Sequence, residues 1–305
     1  MNRRARASPI QRPALLWAWL GFCLLYAGCG KSGSDHKAIL RMKGSDTMLG
    51  LAQAWAEGYR QVAPEVEVEV SGGGSGVGLA ALLQGTIDIF NASRSMTQEE
   101  VEQARRNTGK EPKATLVGYD AVAFYVNKRN PLSEITLGQI AQIYGSGGTI
   151  TKWSDLGVRI PGSASDEIVR VSRQSSSGTY EFVREHVLNK KDFKLGLLEM
   201  NGSKQVVELV EATPTAIGYS GMGYASQAVK LLKVKRTADS PAYAPALATT
   251  LDQTYPMARP LQVYTLGEPQ GAAKAYLEWI LSDSGQRIVV ASGYVPLGAA
   301  ARLRP

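Results

Sequence analysis

Between residues 38 and 106 the chain runs three times through the same local pattern: an apolar extended segment, a turn of small or polar residues, then a helix start. Ala38 to Lys43 reads as a strand. It is followed by Gly44-Ser45-Asp46-Thr47 and a helix from about Met48 to Val62, with Leu51, Ala52, Trp55, Ala56 and Tyr59 on one face. Ser45 or Asp46 is a natural N-cap for that helix. Val66 to Val70 alternates apolar and acidic residues as a half-buried strand does, and runs through a glycine stretch into a helix from Leu79 to Gln84. Thr86 to Ala92 is a third strand, ending at Ser93-Arg94. Thr97 and Glu100 have capping-box spacing for a helix through about Arg106. Alternation of this kind predicts an α/β fold with parallel strands and helices on the sheet faces. Ligands of such sheets lie beyond the carboxyl ends of the strands, which places Ser45, Ser75 and Ser93-Arg94 on one edge.

The glycine stretch, Ser71 to Gly78, has five glycines in eight residues. Glycines let the backbone approach a ligand closely, and the first turn of the helix has free N–H groups pointing outward. This arrangement suits an anion, although a plain glycine-rich turn has the same composition. A second such turn comes about a hundred residues later. Glu167 to Val171 reads as a strand and Tyr180 to Val187 as a helix. Between them stand Arg173 and the run Ser175-Ser176-Ser177-Gly178-Thr179. An oxyanion buried between two such turns needs several short donors and one or two cations. Hydroxyls, helix N-terminal amides and a forked guanidinium supply them.

Elsewhere, Ala114 to Val117 and Asp120 to Val126 are extended runs, and helices are predicted over 136–144, 203–212, 271–281 and 283–292. Strands are predicted over 216–220 and 261–266. The stretch from Ala238 to Pro260, rich in Ala, Pro and Thr, has no clear period.

The first 28 residues read as a secretory signal. A basic segment precedes the apolar run Ala14 to Tyr26, too short and too early for a typical membrane-spanning helix. Leu25-Tyr26-Ala27-Gly28-Cys29 resembles a bacterial lipoprotein cleavage site, with Cys29 as the lipidated first residue; Tyr26 departs from the usual aliphatic residue there. Residues 29–38 read as a tether. Cys23 and Cys29 are the two cysteines of the sequence, so no disulfide is expected in the body. The four arginines of the signal account for much of the formal charge, which falls from +7 to +3 without them. No run of five or six basic residues marks a nucleic-acid surface, and no nucleic-acid partner is expected.

Catalytic readings find little support. The sequence has two histidines, His36 in the tether and His186 on a predicted helix face, where a serine hydrolase needs a base. Val77 stands where Gly-x-Ser-x-Gly would place its last glycine. The scattered acids show no zinc or magnesium spacing, so neither metal nor cofactor is expected. Gly76-Val77-Gly78-Leu79-Ala80-Ala81 matches Gly-x-Gly-x-x-Ala, but about twenty residues on lies a helix start rather than an acidic strand end.

Several of these segments together resemble the PstS-like phosphate-binding lipoproteins that feed ABC-type phosphate importers. They are Gly44-Ser45-Asp46-Thr47-Met48, the glycine stretch with Asp88 and Ala92-Ser93-Arg94, Arg173 with Ser177-Gly178-Thr179, Ile150 to Trp153, and Ala216 to Tyr219. The resemblance covers about Ile39 to Pro296. It implies a two-lobed periplasmic-binding-protein fold of type II, with two mixed sheets flanked by helices and a ligand cleft between the lobes. It also implies a monomer that hands phosphate to a membrane permease and has no enzymatic activity. Residues 39–118 with 260–305 would form one lobe and 119–259 the other. Ser45 and the amides of Asp46 and Thr47 would donate from the first helix start, Ser75 and Gly76 from the glycine stretch, and Arg173, Ser177, Gly178 and Thr179 from the second lobe. The best-known members carry an aspartate after Ala-Ser, which accepts the proton of hydrogen phosphate; here that position is Arg94. Asp46 is the expected substitute acceptor, with Arg94 adding positive charge. Sulfate, molybdate and tungstate are the alternative anions, and an exported hydrolase is a more distant alternative.

Overall fold

The computed structural model describes residues 37–298. The signal segment, Cys29, His36 and the last seven residues lie outside the described residues. Twenty elements in chain order build a nine-stranded mixed sheet and a separate two-stranded parallel sheet, with helices packed around them. They are β1 (Ala38–Gly44), α1 (Leu49–Arg60), β2 (Val66–Ser71), α2 (Ser75–Leu83), β3 (Ile89–Ala92), α3 (Gln98–Thr108), β4 (Pro112–Asn127), β5 (Glu134–Thr136), α4 (Leu137–Tyr144), β6 (Val169–Arg173), α5 (Gly178–His186), β7 (Leu198–Met200), α6 (Ser203–Ala212), β8 (Ala216–Gly221), β9 (Val229–Leu231), β10 (Lys233–Lys235), α7 (Leu247–Leu251), β11 (Ala258–Leu266), α8 (Gly271–Leu281) and α9 (Asp283–Ala291). Among the described residues no helix is long and apolar enough to cross a membrane.

The three opening units form in the predicted order, but α2 starts at Ser75, four residues before Leu79, and β3 is confined to Ile89–Ala92. β1 pairs with β2 and β3 in parallel. α1 buries Leu51, Ala52, Trp55 and Tyr59, and its Trp55 indole N–H donates to the Gly285 carbonyl at 2.9 Å, tying it to α9. Thr97 and Glu100 close a capping box on α3, and Thr136 and Gln139 close another on α4. The N-cap of α1 differs from expectation. It is Met48, with no side-chain cap, because Ser45 and Asp46 bond elsewhere.

The two expected sheets are joined through one strand. The strand order is β2-β1-β3-β11-β4-β8-β6-β7, with β9 also on β4, while β5 and β10 form the separate parallel pair. The first part of β4 pairs antiparallel with β11, from Pro112 to Ala121, and its last part pairs with β8, from Val122 to Val126. The two extended runs predicted from sequence are therefore one 16-residue strand. The core divides at the same place. One cluster gathers Leu40, Trp55, Val117, Leu261, Tyr276 and Tyr294. Others gather Phe124, Trp153, Tyr219 and Met257, or Tyr125, Val171 and Val206. Each lobe thus has its own apolar interior, and β4 and β11 pass between them where Asp120 faces Arg259 in the ladder.

Candidate functional site

The carboxyl ends of β1, β3 and β6 meet the first turns of α2 and α5 at the seam between the lobes. Ser45 follows β1 and Ser93 follows β3, and the Ser45 hydroxyl donates to Ser93 Oγ at 2.8 Å. Ser75 opens α2, and its Oγ accepts the Ser93 amide at 3.4 Å. All three serines are buried. Gly178 opens α5 against them: a Cβ there would lie 2.3 Å from Ser75 Oγ and 2.8 Å from Ser93 Oγ. Thr47 and Thr179, from opposite lobes, hold their Oγ1 atoms 2.8 Å apart. Five buried hydroxyls and the N-terminal turns of two helices therefore converge where the lobes touch, a donor-rich set suited to an oxyanion.

Two guanidinium groups serve this seam. Arg173 ends β6 and is fully buried. Lobe-two groups fix it: Nε donates to the Met200 carbonyl at 3.4 Å, Nη1 to Ser203 Oγ at 2.9 Å and Nη2 to the Asn201 carbonyl at 2.9 Å. Nη2 also reaches Asp46 Oδ2 of the other lobe at 3.0 Å. Burial pulls the Arg173 guanidinium below its ordinary value, and Asp46 opposes that pull. The other Asp46 oxygen accepts the Gly73 amide at 2.9 Å, and the Asp46 carbonyl accepts the Tyr224 hydroxyl at 2.7 Å.

Arg259 is the second guanidinium, and sequence reasoning missed it. Its Nε and Nη2 donate to Asp120 Oδ2 at 3.0 and 2.8 Å, and both side chains are fully buried. Nη2 also donates to Thr47 Oγ1 at 3.2 Å and Thr179 Oγ1 at 3.0 Å. Nη1 has no hydrogen-bond partner among the described residues. Burial pushes the Asp120 carboxyl up against the opposing pull of Arg259. Arg259 sits in the Ala/Pro/Thr-rich stretch that has no period, and β11 begins at Ala258 rather than Leu261, so no local signal placed it on a strand end.

Three expected site residues make other contacts in this structure. Arg94 turns away from the cluster. Its Nη1 and Nη2 donate to the two Glu100 oxygens at 2.7 and 2.6 Å, and Nη1 also donates to the Ser95 carbonyl at 2.9 Å. Glu100, needed for the α3 capping box, captures the charge that the sequence reading assigned to the ligand. The Gly76 amide donates to the Ser176 carbonyl across the seam at 2.9 Å, so it is a lobe-to-lobe contact. Ser177 is the N-cap of α5, its Oγ accepting from Thr179 and Tyr180 amides at 3.1 and 3.5 Å. His186 stacks on Phe182 with ring centroids 3.9 Å apart, on the far end of α5 from these residues. Among the described residues no group of three or more His, Cys, Asp or Glu is placed to hold a metal.

The family model described as the PBP superfamily domain matches residues 30–284. The phosphate-binding protein PstS of Pseudomonas aeruginosa is 34% identical over 280 residues, covering 88% of this chain and 86% of that protein. The Staphylococcus aureus protein of the same name is 30% identical, covering 90% and 85%. Among solved structures, a substrate-binding protein from Clostridium perfringens with bound phosphate superposes with a TM-score of 0.74. It is 28% identical and covers 85% of this chain and 100% of that one. By its sequence match and its two-lobed architecture, the chain belongs to the PBP superfamily and, within it, to the PstS-like substrate-binding proteins.

Proposed function

We propose that the protein binds inorganic phosphate between its lobes and delivers it to the permease of an ABC importer. The observation that carries this reading is the buried convergence of Ser45, Ser75, Ser93, Thr47 and Thr179 with Arg173 at the seam. Hydroxyls and helix amides donate to an oxyanion without needing a matching number of positive charges, and a buried arginine supplies the balancing cation. The phosphate that these relatives are named for is an anion of that kind.

In this reading the ligand-contacting groups are Ser45, Asp46, Thr47, Ser75, Arg173, Gly178 and Thr179, with Ser93 added. Asp46 takes the role of acceptor for the ligand's proton, and Arg94 does not. The support is positional: Asp46 lies between Arg173 and the Gly73 amide, beside the serine cluster. A carboxylate there holds a protonated phosphate oxygen and repels the bare oxygens of sulfate.

The lobes are taken as residues 39–118 with 260–305, and 119–259, because the apolar clusters separate between Val117 and Ala121 and between Met257 and Leu261. Binding closes the lobes by hinge movement at β4 and β11. The protein acts without catalysis, as a monomer, exported and held at the membrane by lipid on Cys29. Calorimetry of ligand-stripped protein tests the reading. Phosphate is expected to bind at low micromolar concentration and sulfate not to bind. Sulfate binding without phosphate binding overturns it, and Asp46→Ala protein that keeps both phosphate binding and sulfate rejection overturns the role of Asp46.

A further inference from the structure

Arg259 is placed where the chain passes between lobes, yet its side chain touches both of them. Nη2 donates to Thr47 Oγ1 of one lobe and Thr179 Oγ1 of the other, while Asp120 holds the opposite edge of the same nitrogen. Three acceptors thus share two protons, the threonines through three-centre bonding.

The hydroxyl protons can then be counted. A threonine hydroxyl has one proton and two lone pairs. Thr47 and Thr179 bond each other at 2.8 Å, so one of them donates to the other. The receiving oxygen accepts from its threonine neighbour and from Arg259, which occupies both lone pairs. Its own proton has no acceptor among the described residues, and both side chains are buried. A buried hydroxyl in that condition can act only as a donor, and any partner there must be an acceptor. Were Arg259 absent, the lone pair would be free and the same hydroxyl could serve either role.

Building on the phosphate reading, we infer that Arg259 sets the hydrogen-bonding role of the cleft's paired threonines: it fixes the Thr47–Thr179 pair as a donor-only contact for an acceptor oxygen of the ligand. It acts through the threonines and is a positioning residue. Asp120 orients it by gripping Nε and Nη2. Asp46, the proposed acceptor, and the threonine pair then impose opposite demands on the two ends of the anion. Asp46 needs a protonated oxygen and the threonine pair an acceptor; hydrogen phosphate meets both, and a fully deprotonated oxyanion fails at the Asp46 end.

The test is phosphate affinity by calorimetry in wild type, Arg259→Lys, Thr179→Val and the Arg259→Lys/Thr179→Val double variant, with melting temperatures of the ligand-free proteins. Arg259→Lys is expected to weaken phosphate binding at least tenfold. Thr179→Val is expected to cost about tenfold in the wild type and measurably less in the Arg259→Lys background, because without the guanidinium the hydroxyl is no longer fixed as a donor. If Arg259→Lys does not fold, Asp120→Asn with Arg259→Gln removes both buried charges together. A purely structural pair predicts that this double variant regains both melting temperature and affinity, whereas the inference predicts regained stability with affinity still at least tenfold down. Arg259→Lys within twofold of wild type, or a Thr179→Val effect equal in both backgrounds, overturns the inference and leaves the phosphate reading standing. Wild-type protein that binds no phosphate overturns the reading and the inference with it.

Discussion

Arginine at position 94 and arginine at position 259 have opposite fates for reasons that lie outside their local sequence. Arg94 stands next to Ser93, at the end of a strand, where a ligand cation would be expected. Glu100, six residues on, takes both of its terminal nitrogens. Burial disfavours the charge on each, but the pairing prevails: Arg94 is raised and Glu100 lowered from their ordinary values. Arg259 has no motif around it, and only the antiparallel pairing of β11 with β4 brings it to Asp120. Arg173 was legible because a strand, a cation and a Ser-Gly-Thr turn fall in one short window. Its partner Asp46, 127 residues earlier, was legible only as a neighbour of Ser45. At this scale Arg173 is expected to outrank Ser75. Arg173→Ala removes a buried cation and strands Asp46, so phosphate affinity should fall more than a hundredfold. Ser75→Ala removes one hydroxyl donor to a charged ligand, about 1.5–3 kcal/mol or ten- to a hundredfold. Calorimetry of the two variants decides the ranking, and the reverse order places the anion elsewhere.

At the scale of elements, the helices were readable where capping chemistry is local. Thr97 with Glu100 and Thr136 with Gln139 each close within four residues, and both helices start where predicted. Thr97→Ala should destabilise the protein by about 1 kcal/mol in chemical denaturation. Glu100 also contributes a pH dependence. Its folded pKa lies below the ordinary 4.5, so its contribution is complete above that value and is lost as pH falls through the folded value. Glu100→Gln should therefore cost on the order of 1 kcal/mol at neutral pH, since the pair is partly screened by solvent, and the variant should approach wild-type stability in acid.

The glycine stretch was only half legible. Its glycines do allow close approach, but the nearest neighbour is protein. Gly74 has φ +98°, and a Cβ on it would lie 2.4 Å from the Ser176 carbonyl. Ser176 in turn donates its hydroxyl to the Gly73 carbonyl at 3.0 Å and accepts the Gly76 amide. Sequence composition cannot distinguish a turn that receives a ligand from one that receives another backbone. Ser176→Ala is expected to speed phosphate release several-fold with little change in the association rate, measured by stopped-flow fluorescence.

For the whole molecule, the two lobes have separate apolar cores and touch through polar groups at the seam, so closure can be blocked without unfolding either lobe. Gly178 offers the means. It opens α5 in lobe two, and its missing side chain leaves room for Ser75 and Ser93 of lobe one. An added Cβ would fall 2.3 Å from Ser75 Oγ, well inside contact distance, while alanine itself suits a helix better than glycine by up to about 1 kcal/mol. Gly178→Ala thus removes no hydroxyl, no charge and no cap. Its ligand-free melting temperature should match or slightly exceed that of wild type, its phosphate affinity should drop at least tenfold, and added phosphate should no longer compact the molecule in small-angle scattering. Wild-type protein should instead gain about 2.7 kcal/mol of apparent stability at a phosphate concentration one hundred times the Kd. Gly178→Ala protein that binds phosphate as wild type does and still compacts would mean that the serines and α5 can separate with the ligand in place. The contacts that define the closed seam here would then be incidental to binding.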